Sequence, residues 1–155
     1  YDPEAVTEVL AVDPATGARN RAAARISDFA RPVRWVALDG ERLPLEDASV
    51  DTVVAAFTLC TIPDVEAALA EARRVLKPSG QFRYLEHGLH PDPKVAVWQR
   101  RIEPVWKVLA GGCHLTRDAD ELVRAAGFDL VESEHHSMPG PRFSTALYEG
   151  VAIPA

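Results

Sequence analysis

The side chains able to do chemistry gather at the ends of predicted strands. Glu8 to Val12 (EVLAV) is a short apolar run that ends in Asp13-Pro14, and Val33 to Leu38 (VRWVAL) ends in Asp39-Gly40. In nucleotide-binding α/β folds, an acid at the carboxyl end of the second strand accepts hydrogen bonds from ribose hydroxyls. Asp13 has that position. It equally suits a cap for a helix starting near Pro14, and both readings stand. Asp39 lies beside a glycine that would let a ligand approach the backbone, or else marks an ordinary turn. Glu86 and His87 close another strand, and His114 follows Gly111-Gly112. Each of these three could take a proton from a reacting group or simply hydrogen-bond loop backbone.

Other chemistries find less support. His87, His90, Cys113 and His114 match no standard zinc spacing, so no metal is expected. His135-His136 reads as surface. No serine occupies a strand-to-helix elbow with an acid and a histidine in order, which argues against serine hydrolysis. The arginines at positions 19, 21, 25, 31 and 34 lack interleaved aromatic residues along the helix and read as a solvated face.

The elements that position these groups centre on Ser49 to Gly88, read as strand, loop, helix, turn, strand. Asp51 to Phe57 is apolar without alternation, as in a strand buried on both faces. Asp64 is placed to cap a helix whose inner face is Val65, Ala68, Leu69, Ala72, Val75 and Leu76. Pro78 and Gly80 are expected to stop it, with Phe82 to Leu85 as the next strand. This is a βαβ unit. Ala15 to Ile26 is a predicted helix. Pro93 to Leu109 carries a stripe of Trp98, Ile102, Val105 and Leu109 with Trp106 beside it, read as core rather than pocket lining. Pro104 predicts a kink or two shorter helices there. Thr116 is expected to cap a short helix through Ala126, closed by Gly127 after its end, before an antiparallel pair from Phe128 to Ser133 and from Ser144 to Ile153.

Composition bounds the partners. The chain has 155 residues, 47% apolar and 26% charged, which fits one globular domain. A net charge of −6 argues against nucleic acid or an anionic membrane as partner. No apolar run reaches the roughly 20 residues that span a bilayer. Cys60 and Cys113 are too few for a disulfide framework, so a reduced, cytoplasmic setting is expected.

The run LDGERLPLEDASVDTVVAAFTLCTIPDVEAALAEARRVLKPSGQFRYLEHG resembles the core of the class I S-adenosylmethionine-dependent methyltransferases, from their third strand to their fifth. The similarity is nearest to the branch of thiol methyltransferases and quinone-biosynthesis C-methyltransferases, and WQRRIEPVWKVLAGGCHLTRD resembles the thiol-methylating members. The resemblance implies an α/β, Rossmann-like fold, a mostly parallel sheet closed by an antiparallel C-terminal hairpin, forming a single domain over residues 1–155. It implies S-adenosylmethionine as cofactor, with Asp13 on the ribose, Asp39 and Gly40 at the adenine, and Thr58 and Leu59 flanking the methionine moiety. Cys60 then reads as a small buried filler. The acceptor would be a small or lipophilic molecule carrying a thiol, ring carbon, phospholipid or oxygen; a homodimer is open.

The family's first strand and glycine-rich loop have no counterpart here. The acid normally follows that loop by about 20 residues, and 12 residues precede Asp13. The N-terminal part of the domain is therefore expected to be missing, together with the strand between those at Glu8 and Asp51. Rival readings are a nicotinamide-dependent oxidoreductase, whose ribose Asp13 would serve equally, and a non-catalytic binding or dimerisation module.

Overall fold

Parallel pairing through helical crossovers is the rule the chain follows until its last third. The computed structural model describes residue 2, residues 4–37 and residues 39–155. The chain divides into two units, one through Leu45 and one from Glu46 to Ala155. In the first, β1 (Val9–Val12) pairs in parallel with β2 (Val33–Ala37) through α1 (Thr16–Asp28). Leu38, expected to end β2, lies outside the described residues. Helix α1 buries no residue. Its Arg19 lies 4.6 Å from the Trp35 ring centroid, a cation–π contact that occupies one of the arginines.

The second unit contains β3 (Val50–Ala56), α2 (Val65–Val75), β4 (Leu76–His87), α3 (Pro93–Leu109), α4 (Ala119–Ala125), β5 (Phe128–Ser137) and β6 (Ala146–Pro154). Its sheet runs β3-β4-β6-β5, with β3 and β4 parallel and the β4–β6 and β5–β6 pairs antiparallel. The predicted βαβ unit and closing hairpin are both present. Asp64 caps α2 by accepting from Ala67 N at 2.9 Å, and Val65, Ala68, Leu69, Ala72 and Val75 are buried. Phe82 packs between Tyr84 and Phe128, with ring centroids 5.9 and 5.2 Å away.

Several local expectations are corrected. Strand β4 starts at Leu76, directly after α2, and not at Phe82. Leu76 pairs with Val50 and Gln81 with Thr52, so Lys77 to Gly80 bulge out of the ladder, where Pro78 needs no donor. Gly80 is required there, since a Cβ would lie 2.9 Å from Asp51 O. Strand β3 is not buried on both faces: Ala55 belongs to the core, but Val54 is 46% exposed, and β3 has one partner in its sheet. Helix α3 is one 17-residue element with Pro104 inside it. Its Trp98, Val105 and Leu109 stripe is exposed, Leu109 by 77%. The buried residues of α3 are Val95, Ala96 and Gln99, and Gln99 ties it down by accepting from His90 N and donating to the carbonyls of Gly88 and Phe143. Asp118, not Thr116, caps α4, accepting from Glu121 N at 3.0 Å, and Gly127 ends it with φ +83° as expected. No helix among the described residues is long and apolar enough to cross a membrane.

Asp120 joins α4 to the sheet. Its carboxylate accepts from Tyr84 Oη at 2.6 Å and Ser133 Oγ at 2.5 Å, and contacts His135 Nε2 at 3.2 Å. Burial pushes its pKa up, but the bonds from Ser133, Tyr84 and His135 together outweigh that and hold it below the ordinary value. A folded pKa below the unfolded one adds stability above the unfolded pKa, and that stability is lost as pH falls through the folded pKa. Asp120→Ala should cost about 1–3 kcal/mol in denaturant unfolding, because the buried Tyr84 hydroxyl loses its acceptor. Melting curves between about pH 6 and pH 2 should show the wild type losing this increment in acid, and Asp120→Asn should show a flatter acid limb.

Candidate active site

The loop after β3 is held on both its polar sides. Thr58 N and Leu59 N donate to Glu86 Oε1 at 2.9 and 3.0 Å, and Cys60 N donates to Glu86 Oε2 at 3.2 Å. The carbonyls of the loop face Arg117, whose Nη1 donates to Leu59 O at 2.5 Å and to Ile62 O at 2.8 Å. His114 N donates to Cys60 O at 2.7 Å. Phe57 enters this loop with φ +52°, a left-handed conformation that costs a non-glycine residue about 1–3 kcal/mol. The bonds from Glu86 and Arg117 offset that strain.

Glu86 has no exposed surface, and both its oxygens are occupied by backbone amides. Burial pushes its pKa up, against the pull of those three donors. Thr58 is half-buried and Leu59 buried, and both are fixed through Glu86. Glu86, Thr58 and Leu59 thus form one constellation.

The histidines differ from each other. His87 is 7% exposed, with Nδ1 3.6 Å from Cys113 Sγ and Nε2 buried without a hydrogen-bond partner. The contact with Cys113 raises its pKa against the effect of burial. His114 contacts Glu103 Oε1 through Nδ1 at 3.2 Å, and the other Glu103 oxygen accepts from Thr116 N at 2.9 Å. Desolvation, with Arg117 and Lys107 adding positive charge, lowers the His114 pKa although Glu103 opposes this. His114 is therefore held neutral near neutral pH.

In the first unit, Asp13 follows β1 and Asp39 lies two residues beyond β2, with Val12 in register with Ala37. Both acids therefore emerge at the same end of a parallel pair. Asp13 Oδ1 accepts from Ala15 N at 2.7 Å and Asp39 Oδ1 from Arg42 N at 3.2 Å. The cap of α1 is Ala15, which makes no side-chain capping bond. Each carboxylate keeps one oxygen without a protein partner among the described residues. Half-buried Gly40 follows Asp39. Both free oxygens can accept a hydrogen bond from a donor outside the protein.

Residues 2–84 match the methyltransferase domain family, more than half the chain. The chain belongs to the class I S-adenosylmethionine-dependent methyltransferases. It is 38% identical over 108 residues to thiol S-methyltransferase TMT1B of Rattus norvegicus, a match covering 68% of this chain and 44% of that protein. It is 50% identical over 54 residues to the ubiquinone/menaquinone biosynthesis C-methyltransferase UbiE of Caulobacter sp. (strain K31), covering 35% of this chain and 21% of that protein. The matched stretches span less than half the length of these curated relatives. Among solved structures, a SAM-dependent methyltransferase from Methanosarcina mazei superposes with a TM-score of 0.70 at 14% identity, over 95% of this chain and 82% of that one. The Rossmann-like fold and S-adenosylmethionine as the family's cofactor, both implied by the sequence, hold.

Arg117 and Glu103 are not singled out in the sequence, and Cys113 figures there only as a rejected metal ligand and as one of two cysteines, too few for a disulfide framework. Only the run from Trp98 to Asp118, similar to the thiol-methylating branch, pointed to their neighbourhood. Glu86→Gln should lower stability by about 2–4 kcal/mol, because its amide group would face backbone N–H donors. Urea unfolding should show a lower midpoint at unchanged slope.

Proposed function

We propose that this chain is part of one methyltransferase domain, transferring the methyl group of S-adenosylmethionine to a small lipophilic acceptor, with a thiol as the first choice. The observation that carries the reading is the match of residues 2–84 to the methyltransferase family, a stretch that includes Asp13, Asp39, Gly40, Thr58 and Leu59. The similarity to a thiol S-methyltransferase over 108 residues favours the thiol. A cytoplasmic setting belongs to the same proposal, as does the absence of nucleic acid among its partners.

When bound, S-adenosylmethionine supplies an electrophilic methyl group. Asp13 would accept from the ribose hydroxyls, Asp39 with the Gly40 backbone would bind the adenine end, and Thr58 and Leu59 would border the methionine end. The protein's main task is then to hold the acceptor in line and exclude water. A pocket of about 450 Å³ lined by Lys94, Val95, Trp98, Ile102, Arg142 and Phe143 suits the acceptor's apolar body. Gln99 bridges the carbonyls of Phe143 and Gly88, placing this pocket beside the end of β4. A protonated thiol needs a base. Glu86 is filled by amides and His87 is engaged with Cys113, so His114, neutral and backed by Glu103, is the candidate the geometry favours.

Titration of the full-length protein with S-adenosylhomocysteine should give saturable one-to-one binding, and Asp13→Ala should weaken it by about 1–3 kcal/mol. Preference for NADH, or binding unchanged by Asp13→Ala, would overturn the assignment. His114→Ala should lower kcat for a thiol acceptor by about 10²–10⁴ with the cofactor affinity kept. The base must be neutral, so activity should fall as pH drops through a midpoint below the usual histidine value. A profile unchanged in the His114 variant would place the base elsewhere.

A further inference from the structure

The two cysteines, 53 positions apart in sequence, meet beside the loop that Glu86 holds. His114 N donates to Cys60 O at 2.7 Å, so the backbone beside Cys113 meets that of Cys60, and the two side chains are close enough to act on each other. They remain free cysteines: Cys60 is 3% exposed, whereas Cys113 is half-buried. His87 Nδ1 lies 3.6 Å from the Cys113 sulfur, and the buried His87 Nε2 has no partner. The indole of Trp106 also acts on Cys113, and Trp106 is fixed edge-on against Phe143 at 5.4 Å.

We propose that Cys113 and Cys60 form a peroxide-reactive thiol pair, with Cys113 as the attacking sulfur and Cys60 as the resolving one. The two environments divide these roles. Contact with Cys60, His87 and Trp106 lowers the Cys113 pKa against the effect of burial. Contact with Cys113, burial and the nearby Glu86 push Cys60 the other way. A thiolate is the nucleophile, and an accessible low-pKa thiol beside a second thiol is the arrangement that oxidises reversibly.

The chemistry balances with hydrogen peroxide as oxidant. The Cys113 thiolate attacks one peroxide oxygen; the S–O bond forms, the O–O bond breaks, and the leaving hydroxide takes the proton carried by His87 to become water. Cys60 then attacks the Cys113 sulfenic acid; the S–S bond forms, the S–O bond breaks, and the second hydroxide takes the Cys60 proton and leaves as water. Two thiols lose two electrons and peroxide gains them. The disulfide would join the loop at Thr58–Ile62 to the segment at Cys113–Arg117. This inference does not rest on the methyl-transfer reading.

The test treats reduced full-length protein with equimolar hydrogen peroxide and follows intact mass and peptide maps. The expected result is loss of two hydrogen atoms' mass and a cross-linked peptide joining Cys60 to Cys113, reversed by dithiothreitol. Cys60→Ser should leave a sulfenic acid on Cys113 that dimedone traps. Cys113→Ser should slow oxidation of Cys60 by at least about tenfold. Wild-type protein that proceeds to sulfinic acid without the 60–113 cross-link would overturn the pairing, a result that needs no variant to fold. Unchanged peroxide reactivity in Cys113→Ser, with a native circular dichroism spectrum, would overturn the assignment of the attacking sulfur.

Discussion

A carboxylate removed from water and closed on backbone amides is the constraint on which the second unit depends. Taking Glu86 into the interior is unfavourable unless its lone pairs are satisfied, and three consecutive N–H groups of the loop after β3 satisfy them. The loop gains its shape in return, since those amides have no ladder or helix to join. Arg117 completes the arrangement from the carbonyl side. Glu103 then fixes Thr116 N and His114, and Gln99 fixes α3 to the residues after β4. Four side chains from three separate parts of the chain thus converge on backbone groups that have no helix or strand partner.

The parts legible in the sequence are those decided within a turn or a strand of their own position. The α2 cap, its buried face and the left-handed glycine after α4 follow from local rules, and each stands where expected. The misreadings need knowledge of a partner. The stripe on α3 has core-like composition, yet the helix is anchored by the amide of Gln99 and faces Trp98 outward. Strand β3 has the composition of a central strand but sits at an edge of its sheet. The start of β4 was hidden because a bulge carries Pro78 and Gly80 through a strand they would ordinarily break.

The candidate site divides in the same way. Acids at strand ends are visible because a strand's end is visible, so Asp13, Asp39 and Glu86 could be named from their positions. Their occupations could not. That Glu86 would spend both oxygens on amides 26 to 28 residues away is a property of the β3–β4 register. Cys113 and Arg117 reach back across more than 50 residues to the same loop, and no local pattern encodes that. Family membership settles the fold and the cofactor and leaves the acceptor to α3 and the loops around it, where fold carries least information.

The left-handed backbone at Phe57 has a kinetic consequence. An unfolded chain rarely samples that conformation at a bulky residue, so the loop cannot nucleate by itself. The partners that hold it arrive from 28 residues onward at Glu86 and 58 onward at Arg117, after the parallel β3–β4 pairing has brought them near. The loop is thus a late-folding element, absent from a transition state built on α2 and its flanking strands. Changes within it would then leave the refolding rate almost untouched and appear as faster unfolding.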